Sequence, residues 1–240
     1  MFENLLIMKR IFSLIIILAL TIKGYSQTAE EYYKSGVAKL NKRDLREAIT
    51  DFTKAIGLNP KFTEAYHDRG LAKLSLENYN EAIEDFTKEI ELDPKNRDAY
   101  YVRGLAKDSL KDYNEAIDDF TKAVELGHVF AHYNRGLVKD HLQDYQGAID
   151  DYTIDIMLNP KVAASYCRRG VDKNILKHYN EAIDDFTKAI ELDPENGEAY
   201  YDRGMTKIEL GQKESGCLDI NKAAELGYSE ANEAIKKYCN

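Results

Sequence analysis

The ten residues Tyr79-Asn80-Glu81-Ala82-Ile83-Glu84-Asp85-Phe86-Thr87-Lys88 occur twice more almost unchanged, at 113–122 and 179–188. Inside them Tyr79, Ala82, Ile83 and Phe86 fall three and four apart and are continued by Ile90, which is the apolar stripe of an α-helix. Asp93-Pro94 ends the run, because proline cannot continue a helix and disfavours helical geometry in the residue before it. Asn59-Pro60, Asn159-Pro160 and Asp193-Pro194 are equivalent stops. Upstream, Ala65, Tyr66, Gly70, Leu71 and Leu74 form an earlier helical stripe that Glu77-Asn78 breaks. The stretch from 63 to 96 therefore reads as two helices. No segment alternates apolar and polar residues for long enough to be a strand, and the chain reads as all-α.

Outward from this pair, a glycine marks the phase of the whole chain: Gly36, Gly70, Gly104, Gly136, Gly170 and Gly204, at spacings of 34, 34, 32, 34 and 34. Six repeats follow, at 29–62, 63–96, 97–128, 129–162, 163–196 and 197–228. The third and sixth are shorter because Leu126-Gly127 and Leu226-Gly227 replace the proline turn. Residues 229–240 start like a seventh repeat and stop after one helix, with Ala231, Ala234, Ile235 and Tyr238 on one face. This predicts a polar capping helix over repeat 6, with Ser229, Asn232 and Glu233 in its first turn.

A glycine inside a helix costs ~1 kcal/mol relative to alanine, so six of them in register need a reason. They let a neighbouring helix approach. Small Ala48, Ala82, Ala116, Ala148 and Ala182 in the second helices do the same, and Phe52, Phe86, Phe120, Tyr152 and Phe186 fill the space between. With the aromatic Tyr32, Tyr66, Tyr100, Tyr166 and Tyr200, these Gly, Ala, Phe and Pro columns resemble the tetratricopeptide repeat family across 29–228. Repeat 6 departs from the pattern, with Gly216 and Ile220 in place of Ala and Phe. The resemblance implies a right-handed α-solenoid superhelix of six helix pairs, used to bind proteins and peptides.

Composition excludes other classes. Among 240 residues, 33 basic and 42 acidic side chains leave a net charge of −9 with no Lys/Arg-rich run, which disfavours nucleic-acid binding. Three cysteines without a Cys-x-x-Cys pair make neither a disulfide framework nor a zinc module. At the N-terminus, Lys9 and Arg10 precede an apolar run from Ile11 to Leu20, and small Gly24 and Ser26 stand three and one before Gln27. That is the layout of a cleaved secretory signal over 1–26. Cleavage there removes Lys9, Arg10, Lys23 and Glu3, and moves the net charge to −11. The chain is expected to be exported, to the periplasm or the exterior. The alternative is a retained N-terminal anchor, although Ile11 to Ile22 falls short of the ~20 residues that span a bilayer as helix.

Nothing in the sequence assembles an enzyme. His128 and His132 are four apart but lack a third ligand at helical spacing, and a metal site wants three or four. The Asp-Asp pairs at 118–119, 150–151 and 184–185 recur in repeat after repeat, whereas a catalytic pair is needed once. No cofactor is implied. Arg69, Arg103, Arg135, Arg169 and Arg203 stand before the glycines, with Ser35 in the first repeat. Asp51, Asp85, Asp119, Asp151, Asp185 and Asp219 share one place in the second helices. Pairing each aspartate with the arginine of the next repeat (51–69, 85–103, 119–135, 151–169 and 185–203) would explain why the first repeat has none.

Cys217 and Cys239 lie ten and twelve residues either side of Gly227, at similar heights on antiparallel helices rising ~1.5 Å per residue. In an oxidising compartment they are expected to pair, stabilising by ~3 kcal/mol, with two separate thiols as the alternative. Cys167 is expected to stay free.

In the resembling family the first helices line the concave face. The residues that would point there are Tyr33, His67, Tyr101, Tyr133, Cys167 and Tyr201, with Val37, Leu71, Leu105, Leu137, Val171 and Met205 beside them. Glu30, Glu64, Asp98, Asp108, Asp140 and Glu198 flank this stripe. The chaperone-adaptor members grip an acidic C-terminal tail with Lys, Arg and Asn at such places, and that clamp is missing here. Rings beside acids suit an apolar, basic segment of a protein or peptide. The alternative is that the tyrosines only pack between neighbouring first helices. Two functions are thus carried forward: a non-enzymatic binding scaffold, and a fixed structural subunit of an exported or envelope assembly.

Overall fold

The computed structural model describes residues 27–239, and those residues contain helices and turns but no strand. In chain order the helices are α1 (Ala29–Asn41), α2 (Leu45–Leu58), α3 (Thr63–Ser75), α4 (Tyr79–Leu92), α5 (Arg97–Ser109), α6 (Tyr113–Glu125) and α7 (Ala131–His141). They continue as α8 (Tyr145–Leu158), α9 (Ala163–Ile175), α10 (Tyr179–Leu192), α11 (Gly197–Glu209), α12 (Lys213–Glu225) and α13 (Ala231–Ala234). The expected signal segment 1–26 lies outside the described residues. Two compact units are formed, which among the described residues are 27–93 and 94–239. In the N-terminal unit α1 to α4 pack each on the next, and α1 also meets α3. In the C-terminal unit α5 to α13 do likewise, with α5 against α7 and α9 against α11.

Local chemistry sets each helix pair. Thr28 opens α1 with a capping box: its hydroxyl accepts from Glu31 N, and the Glu31 carboxylate accepts from Thr28 N. Between α3 and α4 the chain reverses in three residues. Glu77 N donates to Leu74 O and Asn78 N to Lys73 O, the paired bonds of a Schellman turn. That turn needs a left-handed residue, and Glu77 supplies it at φ 61°, as do Arg43, Lys111, Gln143 and Lys177 in their repeats. Only repeat 6 uses glycine there, Gly211. The proline turns between repeats need no such residue.

The core is the small-against-large pattern of the sequence. Phe52, Phe86, Phe120 and Tyr152 are fully buried, and Phe186 nearly so. Each ring fills the space a Cβ on its repeat's glycine would take; at Gly70 that atom would stand 2.6 Å from Phe86 Cε1. In repeat 6 the two glycines let backbones meet, since a Cβ on Gly204 would lie 2.7 Å from Gly216 O. The column Ala55, Ala123, Ala189 and Ala223 is interrupted by buried Glu89 and Asp155. Asp155 is satisfied by Ser165, whose hydroxyl donates at 2.5 Å from a position that is alanine in the other first helices of repeats 2 to 6.

The arginine–aspartate expectation is overturned. Each arginine pairs within its own repeat: Arg69 with Asp85, Arg103 with Asp119, Arg135 with Asp151, Arg169 with Asp185 and Arg203 with Asp219. The pair is sixteen residues apart, with the left-handed turn midway, so the antiparallel helices bring both to the same height. The inter-repeat link exists but goes elsewhere. Arg69 donates to Thr53, Arg169 to Thr153 and Arg203 to Thr187, each sixteen residues back across the inter-repeat turn, and Arg135 reaches Thr121. In repeat 1 Ser35 stands in the arginine column and donates directly to Asp51 at 2.6 Å. A lysine one turn on completes every cluster: Lys39, Lys73, Lys107, Lys139, Lys173 and Lys207 lie 2.7–2.9 Å from these aspartates. The guanidinium also lies over Tyr66, Tyr100, Tyr166 or Tyr200. Repeat 4 has His132 in that column, and its Nδ1 bonds to Asp151.

At the C-terminus the capping segment differs from the expectation in detail. α13 is one turn long and continues as a π-helical turn, Ile235–Cys239. Ser229 does not cap it, because its hydroxyl donates to Glu230. Ala231 and Ala234 are buried against Ile220 and Ala223, so the segment covers repeat 6. Cys217 and Cys239 form a disulfide with Cα atoms 5.6 Å apart, inside the ~7 Å limit for bridging. Cys167 is free.

Candidate binding face of the first helices

In the N-terminal unit, α1 and α3 carry Tyr33, Val37, His67 and Leu71, all half-buried. The Tyr33 ring lies 4.8 Å from Phe62 and 5.8 Å from Phe52, and its hydroxyl donates to Asp68 on α3 at 2.9 Å. Burial and the Asp68 carboxylate push that phenol up. His67 turns inward, with Nδ1 3.0 Å from both carboxylate oxygens of buried Glu89.

In the C-terminal unit the same columns lie on α5, α7, α9 and α11. Tyr101 stacks on His128 at 4.0 Å and accepts from Asn134 of the next first helix. Burial raises its hydroxyl. Tyr133 packs on Tyr152 at 5.7 Å. Tyr201 packs on Tyr228 at 5.0 Å, while Cys167 accepts weakly from Asn196. Burial pushes the Cys167 thiol up to about 12, which keeps it protonated and unreactive. Leu105 joins the core around Phe120, and Leu137 is half-buried. Tyrosines thus do pack between neighbouring first helices: the hydroxyls of Tyr33 and Tyr101 each tie one first helix to the next. Their rings stay partly exposed.

The acids of this unit are distinctive. Asp108 and Asp140, named from the sequence, are joined by Asp172 and Asp202, which it did not single out. Burial is the first cause of a raised pKa at all four, reaching about 7 at Asp202 and about 8 at Asp172. None of the four makes an ion pair among the described residues. Asp140 accepts the Tyr152 hydroxyl at 2.6 Å. Asp172 is 2% exposed and occupies the column of Ala38, Ala72, Ala106, Val138 and Thr206. Two sequence signals marked this place: the only tyrosine in the phenylalanine column, and the only acid in a column of small neutral residues. No cluster of three or more His, Cys, Asp or Glu among the described residues is placed to hold a metal.

Three family models described as tetratricopeptide repeat match the chain, at 33–96 and 67–128, at 163–196 and at 186–217. No curated protein matches it in sequence. Among solved structures it resembles YrrB, a TPR protein with an unusual peptide-binding site, at 26% identity and TM-score 0.69, over 77% of this chain and 97% of that one. It resembles MamA at 28% identity and TM-score 0.65, over 68% and 96%. The Pseudomonas aeruginosa pilF structure, at 15% identity and TM-score 0.70 over 86% and 97%, shares the fold. Repeated glycine–aromatic packing, one ion cluster per helix pair and these matches agree: the chain belongs to the tetratricopeptide repeat family.

Proposed function

We propose that this protein is a non-enzymatic scaffold that holds an apolar, basic segment of a partner on its first helices, and that it works as an exported protein. The observation that carries the reading is the set Asp108, Asp140, Asp172 and Asp202, four acids of the C-terminal unit with raised pKa and no ion pair among the described residues, beside partly exposed tyrosine rings. A Lys/Arg-bearing segment supplies the missing charge, and its apolar residues lie on the rings. The peptide-binding site of YrrB supports the class of ligand without specifying it. Peptide-array binding tests it. Basic, apolar peptides should bind best, and a Tyr101→Ala/Tyr133→Ala variant should bind them less. Preference for acidic peptides, or wild-type binding by the variant, refutes the reading.

A fixed subunit of an assembly is the second reading, and repeat 4 favours it. The outer i,i+3 pairs Lys88–Glu91, Lys122–Glu125, Lys188–Glu191 and Lys222–Glu225 have no counterpart there; Ile154 and Met157 occupy those positions. Met157 is 69% exposed and Leu158 50%. Salt-resistant co-purification with one stoichiometric partner supports this reading, and weak exchangeable peptide binding supports the scaffold.

A further inference from the structure

Nine large apolar side chains stand exposed among the described residues, and five of them gather at one end of repeat 4: Val129, Phe130, Met157, Leu158 and Val162. The ion pair of Arg135 with Asp151 and the bond of Arg169 to Thr153 fix which residues lie level on these antiparallel helices. Counting outward from them sets Val129 level with Met157, and Leu158 level with Ala164 at the start of α9. The five therefore share the inter-repeat end of α7, α8 and α9. Charges that other repeats carry here are gone. Glu64, Asp98 and Glu198 stand six residues before their glycines, where repeat 4 has Phe130, 58% exposed, and repeat 5 has Ala164. Met157 replaces Glu91, Glu125, Glu191 and Glu225, and Ile154 replaces the lysine that pairs with each. Single exposed apolar residues are ordinary, but a contiguous set rimmed by charge marks a contact surface.

We propose that this end of repeat 4 seats an apolar segment of a partner protein, with lysines or arginines beside it that lie over the start of repeat 6. The rim decides the occupant. On the repeat 3 side, Asp98 already has Arg97 and His128 at 3.7 and 3.6 Å. On the other side, Glu195 and Glu198 are exposed and form no ion pair among the described residues. The Arg169–Asp185 pair and the Arg203–Thr187 bond set Glu198 level with Leu192, and Leu192 level with Val162. Lys161 is the one charged residue between Leu158 and Ala164, and it turns the partner's cations toward those glutamates. A second copy of this chain, with its net charge of −9, would set like charge against them. Met and Phe are the side chains that interfaces favour as apolar anchors. The surface deepens the fixed-subunit reading above and rests on it in taking these exposed residues as a contact. It lies at the helix ends, apart from the first-helix stripe.

The test uses the full chain with 13C-labelled methionine methyls. Among the described residues Met157 lies at this end and Met205 in the first-helix stripe, so the two methyls report the two surfaces separately. The probe is a labelled helical peptide with Leu and Phe on one face and three lysines at one end; its counterpart carries three glutamates there. The lysine peptide should shift Met157 and leave Met205 in place, and the glutamate peptide should bind about tenfold more weakly. Phe130→Ala keeps the reporter and puts in the residue repeat 5 has at that place, so it should melt near wild type and bind about tenfold more weakly. Glu195→Gln/Glu198→Gln should make the two peptides bind alike. A shift of Met205 alone overturns the proposal, as does equal binding of both peptides by wild type. Wild-type binding by Phe130→Ala overturns it too. Self-association that Phe130→Ala abolishes assigns this end to a second copy and also overturns it. Ile154→Lys/Met157→Glu restores the pair of the other repeats. Salt-resistant co-purification that survives in this variant refutes the surface and leaves the fixed-subunit reading standing.

Discussion

Replacing Gly70 by alanine sets two effects of known sign against each other. In a helix interior alanine is favoured over glycine by ~1 kcal/mol, and Gly70 has no left-handed φ to forbid it. The new methyl, however, would stand 2.6, 2.9 and 3.0 Å from Cε1, Cζ and Cδ1 of Phe86. Carbon atoms pack at ~3.5–4.0 Å, so the ring must retreat by about 1 Å. Phe86 is fully buried, which leaves its ring little room to retreat. Overpacking of this kind costs ~1–3 kcal/mol, and with three ring atoms too close the upper end applies. Gly70→Ala should therefore destabilise by a net ~2 kcal/mol, lowering Tm by about 4–8 °C for a chain of this size. Gly57 is the internal control. It lies in α2 of the same unit, and a methyl there would meet nothing within 4 Å, so Gly57→Ala should stabilise by ~1 kcal/mol. Thermal melts of both variants and of Gly70→Ala/Phe86→Leu complete the experiment. The double variant should recover part of the loss because the ring edge is gone. A Gly70→Ala protein that melts above wild type, as the control should, refutes the close-packing account.

Asp185→Ala strands the Arg169 guanidinium and the Lys173 ammonium, both largely buried, and should cost ~3–5 kcal/mol in urea unfolding. Lys188→Ala, which removes only an exposed pair, should leave the midpoint in place. Asp202 titrates at about 7 in the fold, above its unfolded value of about 4, so the unfolded chain loses that proton first as pH rises. Its contribution to stability should fall between about pH 4 and 7 and level off above, and Asp202→Asn should remove that slope from urea midpoints taken across the range. An unchanged slope in the variant contradicts the assignment.

Much of this was legible in the chain because it repeats. Six registers of Gly, Ala and Phe state which faces are apolar, and proline marks the inter-repeat stops. The Cys217–Cys239 proximity follows from counting residues either side of one turn. The finer chemistry was harder. Tyr33, Tyr101 and Tyr133 stood out as aromatic, but a residue type does not say where its hydroxyl points. The buried Asp155 and Ser165 are a matched exchange of two alanines, visible in the columns only once the pairing of those columns in space is known.

Sequence alone determined the helix pairs, their length and their packing columns, since the period and the stop residues are written locally. Tertiary structure alone decided which partner each arginine takes. Asp85 and Thr53 are both sixteen residues from Arg69, one across each turn, so spacing makes both reachable. The direction of the guanidinium fork, with Nε and one Nη on the aspartate and the other Nη on the threonine, settles the division. The same holds for Tyr33 and Asp68, thirty-five residues apart. Their meeting depends on how two first helices stack, and that depends on every side chain between them.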